Sequence, residues 1–322
     1  MRLRLIKQGT NFDFFGRWKI WLGLSALMIV IGFASFMIQG LNFGIDFRGG
    51  TTVRTQSTEA IDIGLYRATL APLELGDVSI IEVRDPTFRA DQNVATISIQ
   101  AQEGQEAISA DTIENVKEAM AVAVPDIEFV AVDSVGPTVS GELIQTATIA
   151  VILAIGAVLI YIWLRFEWQF ALGAVAALVH DVILTIGVFS ELQIKFDLAI
   201  IAALLTIVGY SLNDTVVVFD RVRENLRKFK KRPLSEVLNV SINETLSRTL
   251  MTSVTTLLAL ISLFVLGGDV IRGFVFAMIW GVIVGTYSSV FVASTILLWF
   301  GVKRDWSKKA ATADSPYANI DA

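Results

Sequence analysis

The chain has 322 residues, of which 54% are apolar and only 18% are charged, against about 25% charged residues in an ordinary soluble domain. It contains no cysteine, which excludes disulfides, thiolate metal sites and a cysteine nucleophile. The formal net charge is −5, and the low charge density argues against a soluble enzyme, a disordered chain and a nucleic-acid-binding protein.

Six apolar segments are each long enough to cross a bilayer, which takes about 20 residues of helix. They are residues 20–38, 143–164, 169–190, 198–219, 249–268 and 273–300, so the last five fall within 143–300. Their only acidic, basic or histidine side chains are His180, Asp181 and Asp214. A soluble fold would have to surround all six segments with an apolar shell. We therefore predict a polytopic α-helical membrane protein with six transmembrane helices.

Basic residues fall on one side of the predicted membrane. Five Lys or Arg lie in the leader 1–19, eight in the loop 220–248 and four in the tail 301–322, whereas segment 39–142 has six against 17 Asp and Glu. By the positive-inside rule, both termini are expected in the cytoplasm and 39–142 on the outer side of the membrane. The first apolar run is interpreted as an uncleaved anchor, because no small-residue cleavage site follows it cleanly.

Segment 39–142 changes from membrane to globular patterning. Alternation of apolar and polar residues predicts strands at 51–56, 78–84, 94–100 and 127–132. Helical spacing of apolar residues predicts helices at 59–71 and 111–123. Ile61, Leu65 and Leu70 are expected to face inward, and Asp111 is expected to cap the second helix. The order βαββαβ predicts a ferredoxin-like α+β domain. The segment shows no metal-ligand cluster and no nucleophile.

The fourth apolar run contains an acid, Asp214. A carboxylate at membrane depth costs on the order of 3 kcal/mol, so it is retained only where it is protonated, paired or near water. Helical spacing places Thr206, Tyr210 and Asp214 on one stripe, and the neighbouring Ser211 and Asn213 allow close approach or offer hydrogen bonds. We expect this polar patch to face other helices rather than lipid.

The start of the fifth helix offers a basic partner for this acid. Its polar face contains Arg248, Thr252, Thr255 and Thr256. Arg248 is expected to approach Asp214 in the cytoplasmic half of the bilayer, where the guanidinium stays charged and the carboxylate can take up a proton. A fixed structural ion pair is the alternative, and Arg248 alone could also extend to the membrane surface.

His180 and Asp181 are adjacent in the third helix. Neighbours in a helix point about 100° apart, so we expect them not to share a partner. Both a proton-relay role and a hydrogen-bonded contact between helices remain open for them.

Small residues recur every four positions in the sixth helix, at Gly273, Ala277, Gly281, Gly285, Ser289 and Ala293. They predict a surface for close helix packing, within the protein or with a partner. The basic cluster 221–232 is read as a determinant of topology that could also bind anionic lipid.

Several motifs resemble the SecF family of the resistance–nodulation–division superfamily. They are NFGIDFRGGT (42–51), VGPTVSGEL (135–143), ALVHDV (177–182), TIVGYSLNDTVVVFDRVREN (206–225) and SRTLMTSVTT (247–256). The resemblance covers nearly the whole chain, apart from a tail after about residue 305 that matches no motif.

The resemblance implies six transmembrane helices and one periplasmic domain, with no enzymatic activity and no cofactor or metal. It implies a proton-driven subunit that promotes preprotein export, with a SecD-like subunit, the SecYEG channel, YajC and membrane lipid as partners. The resemblance also implies the bacterial inner membrane as the location. By position, the proton-pathway residues are Asp214 and Arg248. From the sequence itself, five polar residues are expected to support them, namely Asn213, Tyr210, Thr252, His180 and Asp181. The motif glycines Gly44, Gly49, Gly50 and Gly136 would have structural roles in turns.

Three other functions remain open. The chain could be half of a proton-driven small-molecule exporter, since exporters of that superfamily usually have two such halves. It could be a structural subunit without its own proton path. An intramembrane aspartyl protease would need Asp181 and Asp214 within a few ångströms, sharing a proton, but the residues before Asp214 read SLN and lack the glycine of those enzymes.

Overall fold

The computed structural model describes residues 11–85, 88–89, 91–101 and 108–302. The first ten residues of the expected leader and nearly all of the expected tail therefore lie outside the described residues. The elements, in chain order, are α1 (Trp18–Gln39), α2 (Ile45–Arg48), β1 (Gly50–Ser57), α3 (Ile63–Leu70), β2 (Val78–Val83), β3 (Asn93–Gln100), α4 (Ala110–Ala123), β4 (Glu128–Val135), α5 (Pro137–Arg165), α6 (Trp168–Glu191), α7 (Leu198–Lys228), α8 (Leu234–Leu266), α9 (Gly268–Ser288) and α10 (Ser294–Phe300).

Six helices in the described part of the chain are long and apolar enough to span a membrane. They are α1, α5, α6, α7, α8 and the continuous helix formed by α9, a π-helical turn at Ser289–Ala293, and α10. The last of these and α6 have the most buried faces, whereas α5 and α8 have the least. The predicted number of membrane helices is confirmed.

The basic segment 220–248 is mostly helical, so the expectation of a loop there is wrong. Helix α7 continues to its end at Lys228, and α8 begins at Leu234. The two extensions pair because Arg221 Nε donates to Glu244 at 2.7 Å and Asn225 Nδ2 donates to the same carboxylate at 2.6 Å. Apolar side chains fill the contact between them, namely Val222, Leu226, Val237, Leu238 and Ile242.

The α+β domain has the predicted βαββαβ order. Its four strands form an antiparallel sheet in the order β2-β3-β1-β4, the arrangement expected of a ferredoxin-like fold. Helices α3 and α4 pack against the sheet through a core that includes Tyr66 and Met120 from the helices and Val53 and Ile97 from the strands. The predicted fold class is therefore confirmed.

Two local expectations in this domain are wrong. Ser109, not Asp111, caps α4, because its hydroxyl accepts a hydrogen bond from the Thr112 backbone N–H at 3.1 Å. In α3 the inward residue is Tyr66, which is 1% exposed, whereas Leu65 is 42% exposed. Tyr66 and Leu70 are one turn apart and share the buried face, so Leu65 points about 100° away from it.

The 42–51 segment connects the α+β domain to the start of α7. The Gly44 N–H donates to the Phe196 carbonyl at 2.8 Å, and the Phe196 N–H donates to the Asn42 carbonyl at 2.8 Å. The Asp46 carboxylate accepts from the Leu198 N–H at 3.0 Å, which satisfies one of the free donors at the first turn of α7.

The motif glycines are not equivalent. Gly49 and Gly50 have φ of 77° and 138°, conformations that favour glycine. A Cβ at Gly50 would also lie 2.3 Å from the Ile99 carbonyl oxygen. Gly44 and Gly136 precede α2 and α5 with φ of −71° and −74°, which any residue can adopt. Among the four motif glycines, only Gly49 and Gly50 therefore occupy a positive-φ turn.

A second connection joins the α+β domain to the start of α9. The Arg84 N–H, just after β2, donates to Asp269 Oδ2 at 2.7 Å, and the Asp269 N–H donates back to the Arg84 carbonyl at 3.2 Å. Helices α7 and α9 thus both begin at contacts with the α+β domain and run away from it.

Candidate functional site

Asp214 lies in the middle of α7 and is 8% exposed. Its Oδ2 accepts a hydrogen bond of 2.6 Å from the Ser289 hydroxyl. Ser289 is the first residue of the π-helical turn between α9 and α10. Such turns are rare inside helices and are frequent at functional sites, because the widened turn changes the direction of its side chains.

Helix α8 contributes a second hydroxyl beside this acid. Thr249 is 2% exposed and close enough to Asp214 to interact with it. Its Oγ1 makes no hydrogen bond of ordinary length to the described residues. A small approach of α8 toward α7 would therefore give the Asp214 carboxylate a second donor.

Arg248 does not form the expected ion pair with Asp214 within the described structure. Its side chain is exposed and lines a surface cavity of about 420 Å³ together with Asp220, Glu224 and Glu244. The pair is absent because Thr249, the next residue of α8, occupies the position that faces the bundle.

Only part of the expected polar stripe of α7 faces the interior of the chain. The Tyr210 hydroxyl is buried and has no hydrogen-bond partner among the described residues. Thr206 and Asn213 are exposed on the surface of this chain, so the expectation that they face neighbouring helices is wrong within the chain itself. On α8, Thr252 is also exposed, and its hydroxyl donates to the Thr249 carbonyl at 2.8 Å.

His180 and Asp181 contact each other, and, as expected, they do not share a further partner among the described residues. His180 Nδ1 and Asp181 Oδ1 are 2.9 Å apart, and both side chains are at most 5% exposed. Asp181 Oδ2 accepts from the Ser211 hydroxyl of α7 at 2.6 Å and the Ser288 hydroxyl of α9 at 2.8 Å. The pair therefore makes hydrogen-bonded contacts between helices, which is one of the two roles that the sequence left open.

Two adjacent serines, the last residue of α9 and the first of the π-helical turn, hold the two buried acids, Ser288 at Asp181 and Ser289 at Asp214. The sequence indicated Ser211 as a polar residue of α7, but sequence reasoning missed Ser288. It also missed Ser25, whose hydroxyl lies 3.2 Å from His180 Nε2, and Tyr287, which stacks on the imidazole. The only signal was that Ser289 belongs to the small-residue pattern of the sixth helix.

The small-residue pattern packs within the chain, against α7. A Cβ at Gly281 would lie 2.3 Å from Ile207 Cγ1, and one at Gly285 would lie 3.1 Å from Ser211 Cβ. This close approach brings Ser288 and Ser289 to the acids. No group of three or more His, Asp or Glu residues in the described ranges is placed to hold a metal ion.

Known SecF sequences match this chain over nearly its whole length. Residues 115–303 match the family described as protein export membrane protein SecD/SecF, C-terminal, and residues 34–61 match the SecD/SecF GG motif. Protein translocase subunit SecF of Cereibacter sphaeroides is 57% identical over 321 residues, which cover 100% of this chain and 99% of that protein. The Rhodobacter capsulatus subunit of the same name is 58% identical over 316 residues, covering 96% and 94%.

Two solved structures share the fold. The crystal structure of SecDF from Thermus thermophilus, described as a translocon-associated membrane protein, matches with a TM-score of 0.81 and 32% identity over 93% of this chain. A crystal structure of SecDF in a super-membrane-facing form matches with a TM-score of 0.68 and 33% identity over 93% of this chain. In both cases the chain spans 40% of the length of the SecDF chain that it matches.

Proposed function

The chain belongs to the SecF family of protein translocase subunits, and we propose that it couples the proton gradient to preprotein export, with Asp214 as its proton-binding carboxylate. A SecD-like subunit is the partner expected for a chain that spans 40% of SecDF. In the proposed assembly this pair acts on preproteins leaving the SecYEG channel, with YajC and membrane lipid as further contacts.

The observation that carries the proposal is the way Asp214 is held. Its one hydrogen bond within the described chain comes from a neutral serine hydroxyl, not from an arginine. A fixed ion pair would keep the carboxylate charged at all times. A hydroxyl can either donate to a carboxylate or accept from a carboxylic acid. Both protonation states of Asp214 can therefore be accommodated by rotation of the Ser289 hydroxyl.

Arg248 has a separate role in this proposal. It lines a surface cavity near the far end of α7 from the α+β domain, where it is solvent-accessible. An approach of α8 would bring it and Thr249 toward an ionised Asp214, and protonation of Asp214 would remove that attraction. Proton binding thus distinguishes two arrangements of α8, which is the condition for coupling.

Helices α7 and α9 carry the change to the α+β domain. Each begins at a hydrogen-bonded contact with that domain, at Asp46 and at Asp269. About 30 Å of helix separates Asp269 from Ser289 at 1.5 Å per residue. We place the domain in the periplasm because 39–142 is acidic and the opposite helix ends are basic.

The available energy is sufficient for a two-state change of this kind. One charge that crosses the membrane potential supplies about 2.3 kcal/mol per 100 mV. That energy changes a two-state equilibrium by about 50-fold, since about 1.4 kcal/mol corresponds to a factor of ten.

Export in cells depleted of their own SecF-family subunit tests the proposal. Asp214→Asn keeps the acceptor for Ser289 but cannot exchange a proton, so we expect it to assemble with the SecD-like subunit and fail to restore export. Asp220→Asn, on the exposed side of the same helix, is the matched control and should restore it, because its ion pair with Arg165 is long and exposed. Full export by Asp214→Asn would favour a structural subunit and contradict the proposal.

A further inference from the structure

The His180–Asp181 pair is the centre of a buried polar network that joins three other helices. Beyond Ser211 and Ser288 at the carboxylate, His180 Nε2 lies 3.2 Å from the Ser25 hydroxyl of α1. Ser25 Oγ lies 2.9 Å from Tyr287 Oη of α9, and Tyr287 Oη lies 2.6 Å from the Trp21 carbonyl oxygen. Every contact in this network is within hydrogen-bonding distance, so the positions of its protons follow from counting donors.

The count begins at the Trp21 carbonyl, which can only accept. Tyr287 has a single hydroxyl proton, and it must donate that proton to Trp21. The 2.9 Å contact between Tyr287 and Ser25 then needs the Ser25 proton, because Tyr287 has no other. Ser25 has none left for His180, so His180 Nε2 must be the donor of their contact and must carry a proton.

The other end of the network fixes the second ring nitrogen. Asp181 Oδ2 lies 2.6 Å from the Ser211 hydroxyl and 2.8 Å from the Ser288 hydroxyl, which is nearer to this oxygen than to its other acceptor, the Gly285 carbonyl at 3.2 Å. Two hydroxyl donors stabilise the ionised form of the carboxylate. An ionised Oδ1 can only accept, so the 2.9 Å contact with His180 Nδ1 is satisfied by a proton on Nδ1. All of these contacts are satisfied together when both ring nitrogens carry a proton and the ring is an imidazolium.

We propose that His180 and Asp181 form a second proton-binding site, occupied in this structure as an imidazolium–carboxylate pair. The pair is neutral overall, and the atoms of both charged groups have hydrogen-bond partners, which is the condition under which ions persist in an apolar interior. The role of this site in export rests on the proposed function, whereas its protonation does not.

The titratable groups around the pair are few. Tyr287 faces it from α9, stacked on the imidazole with ring centres 6.1 Å apart, and Asp214 lies one turn further along α7 from Ser211. Helix α1 contributes the uncharged Ser25. Within the described ranges, no lysine or arginine forms an ion pair with Asp181.

The pair lies on the α+β-domain side of Asp214. Helices α7 and α9 both start at that domain, and Ser211 precedes Asp214 in α7 as Ser288 precedes Ser289 in α9. A proton that enters from the side of the α+β domain would meet the His180–Asp181 pair first.

Release of one proton to the aqueous phase changes a contact between α1 and α9. The imidazole keeps Nδ1–H on the carboxylate and loses the Nε2 proton. Nε2 then becomes an acceptor, and the Ser25 hydroxyl turns from Tyr287 to His180. Occupancy of the site therefore decides whether the Ser25 hydroxyl of α1 donates its proton to Tyr287 of α9 or to His180 of α6.

The chain has one histidine, so selective ¹⁵N-histidine labelling of the full-length protein, purified without a histidine tag, reports on His180 alone. At neutral pH we expect both ring nitrogens to be protonated, and Asp181→Asn to leave one. Ser190→Ala is the matched control, because the 3.0 Å contact between the Ser190 and Ser35 hydroxyls joins the same two helices, and it should leave both nitrogens protonated. A single protonated nitrogen in the unmutated protein would overturn the proposal even if Asp181→Asn failed to fold, and so would two in Asp181→Asn.

An export assay then tests whether the His180–Asp181 site has a role in export. His180→Gln retains a donor and an acceptor but cannot hold a second ring proton, and we expect it to lower gradient-dependent export at least several-fold, with Ser190→Ala unaffected. Unchanged export in His180→Gln would remove this pair from the pathway. If Asp214→Asn exported normally, that result would contradict the proposed function but would leave the spectroscopic result on His180 unchanged.

Discussion

Asp214 depends on Ser289 for its only hydrogen bond to the described part of the chain, and the length of 2.6 Å is typical of a hydroxyl bound to a carboxylate. Asp181 has two such donors and a histidine. The two buried acids therefore differ in what surrounds them. A change in the protonation of Asp214 requires only the Ser289 hydroxyl to rotate, whereas a change at the His180–Asp181 pair reorients several hydroxyls.

Ser289→Ala removes the Asp214 donor without removing charge. We expect it to destabilise the protein by about 1–3 kcal/mol, the cost of leaving a buried carboxylate without its donor, and to lower gradient-dependent export. Thermal unfolding of the purified protein and export in cells measure the two effects. Ser294→Ala is the control, since its hydroxyl donates only to the Ser289 carbonyl at 3.3 Å. Equal behaviour of the two variants would show that Ser289 has no special role.

In the α+β domain, Asp126 gives a pH-dependent prediction. Hydrogen bonds from the Thr58 hydroxyl and backbone N–H, followed by the Ser57 hydroxyl, lower the pKa of Asp126 from its ordinary 3.8 to about 2. Because the pKa is lowered in the folded state, the contribution of Asp126 to stability is complete above its ordinary pKa and is lost as the pH falls through about 2.

We therefore expect Asp126→Asn to destabilise the domain at neutral pH, with the difference from the unmutated protein closing as the pH falls from about 4 to 2. Hydrogen exchange of the β1 amides, corrected for the intrinsic pH dependence of exchange, measures this difference. Glu59→Gln should show no such convergence. A difference for Asp126→Asn that is constant from pH 7 to 2 would contradict the explanation.

At the scale of elements, the small residues of α9 and α10 determine where the serines lie. Gly281 allows Ile207 of α7 to approach so closely that an added Cβ would overlap three of its side-chain carbons. The π-helical turn follows immediately and turns Ser289 toward Asp214 while Ser288 remains at Asp181.

Gly281→Ala tests this packing. The added methyl meets the buried Ile207, so we expect a loss of about 1–3 kcal/mol from overpacking. Gly281→Ala combined with Ile207→Ala should recover part of the stability lost in the two single variants. Gly156→Ala, where nothing lies within 4 Å of the added Cβ, should not destabilise the protein. Strictly additive losses in the double variant, measured by thermal unfolding, would argue against this contact.

The elements could be predicted from the sequence where one pattern dominates. Apolar runs identified all six membrane helices, and period-two alternation identified the strands. The predicted helix ends were wrong where charged residues continue a helix beyond the membrane, as in α7 and α8. Hydropathy falls in these extensions, but the two helices continue and pair through Arg221 and Glu244.

The site was predicted only in its charged members. Asp214, His180 and Asp181 stand out because acids and histidine are costly in apolar segments. Their partners Ser25 and Ser288 do not, since serine is common in membrane helices and its partner depends on the packing of distant segments. Ser211 was indicated as a polar residue of α7, but not as a partner of Asp181. The prediction of an ion pair between Arg248 and Asp214 was wrong for the same reason. A rotation of the helix by one residue decides whether position 248 or position 249 faces the acid.

At the scale of the whole molecule, α9 is the longest direct connection between the α+β domain and the acids. Its second residue, Asp269, holds Arg84 just after β2, and its last residue, Ser288, lies next to Ser289. In the proposed mechanism, a change in the tilt or rotation of α9 would reach the domain through the contact at Asp269.

Asp269→Ala should loosen this connection. We expect a broader distribution of distances between spin labels placed at Val122→Cys in α4 and Ile38→Cys in α1, both exposed positions, in a chain that has no natural cysteine. Gradient-dependent export should fall several-fold. Glu82→Gln, whose carboxylate contacts only the exposed side chain of Arg84, is the control. An unchanged distance distribution in Asp269→Ala would show that other contacts hold the domain.

The most direct test of the central claim is the rate of preprotein translocation in membrane vesicles, measured with the proton gradient present and after an ionophore has abolished it. In vesicles that contain the unmutated protein we expect the gradient to accelerate translocation. In Asp214→Asn vesicles with equal amounts of assembled complex, the two rates should be equal, and Asp220→Asn should behave as the unmutated protein. An undiminished acceleration in Asp214→Asn would contradict the assignment of Asp214 as the proton-binding group.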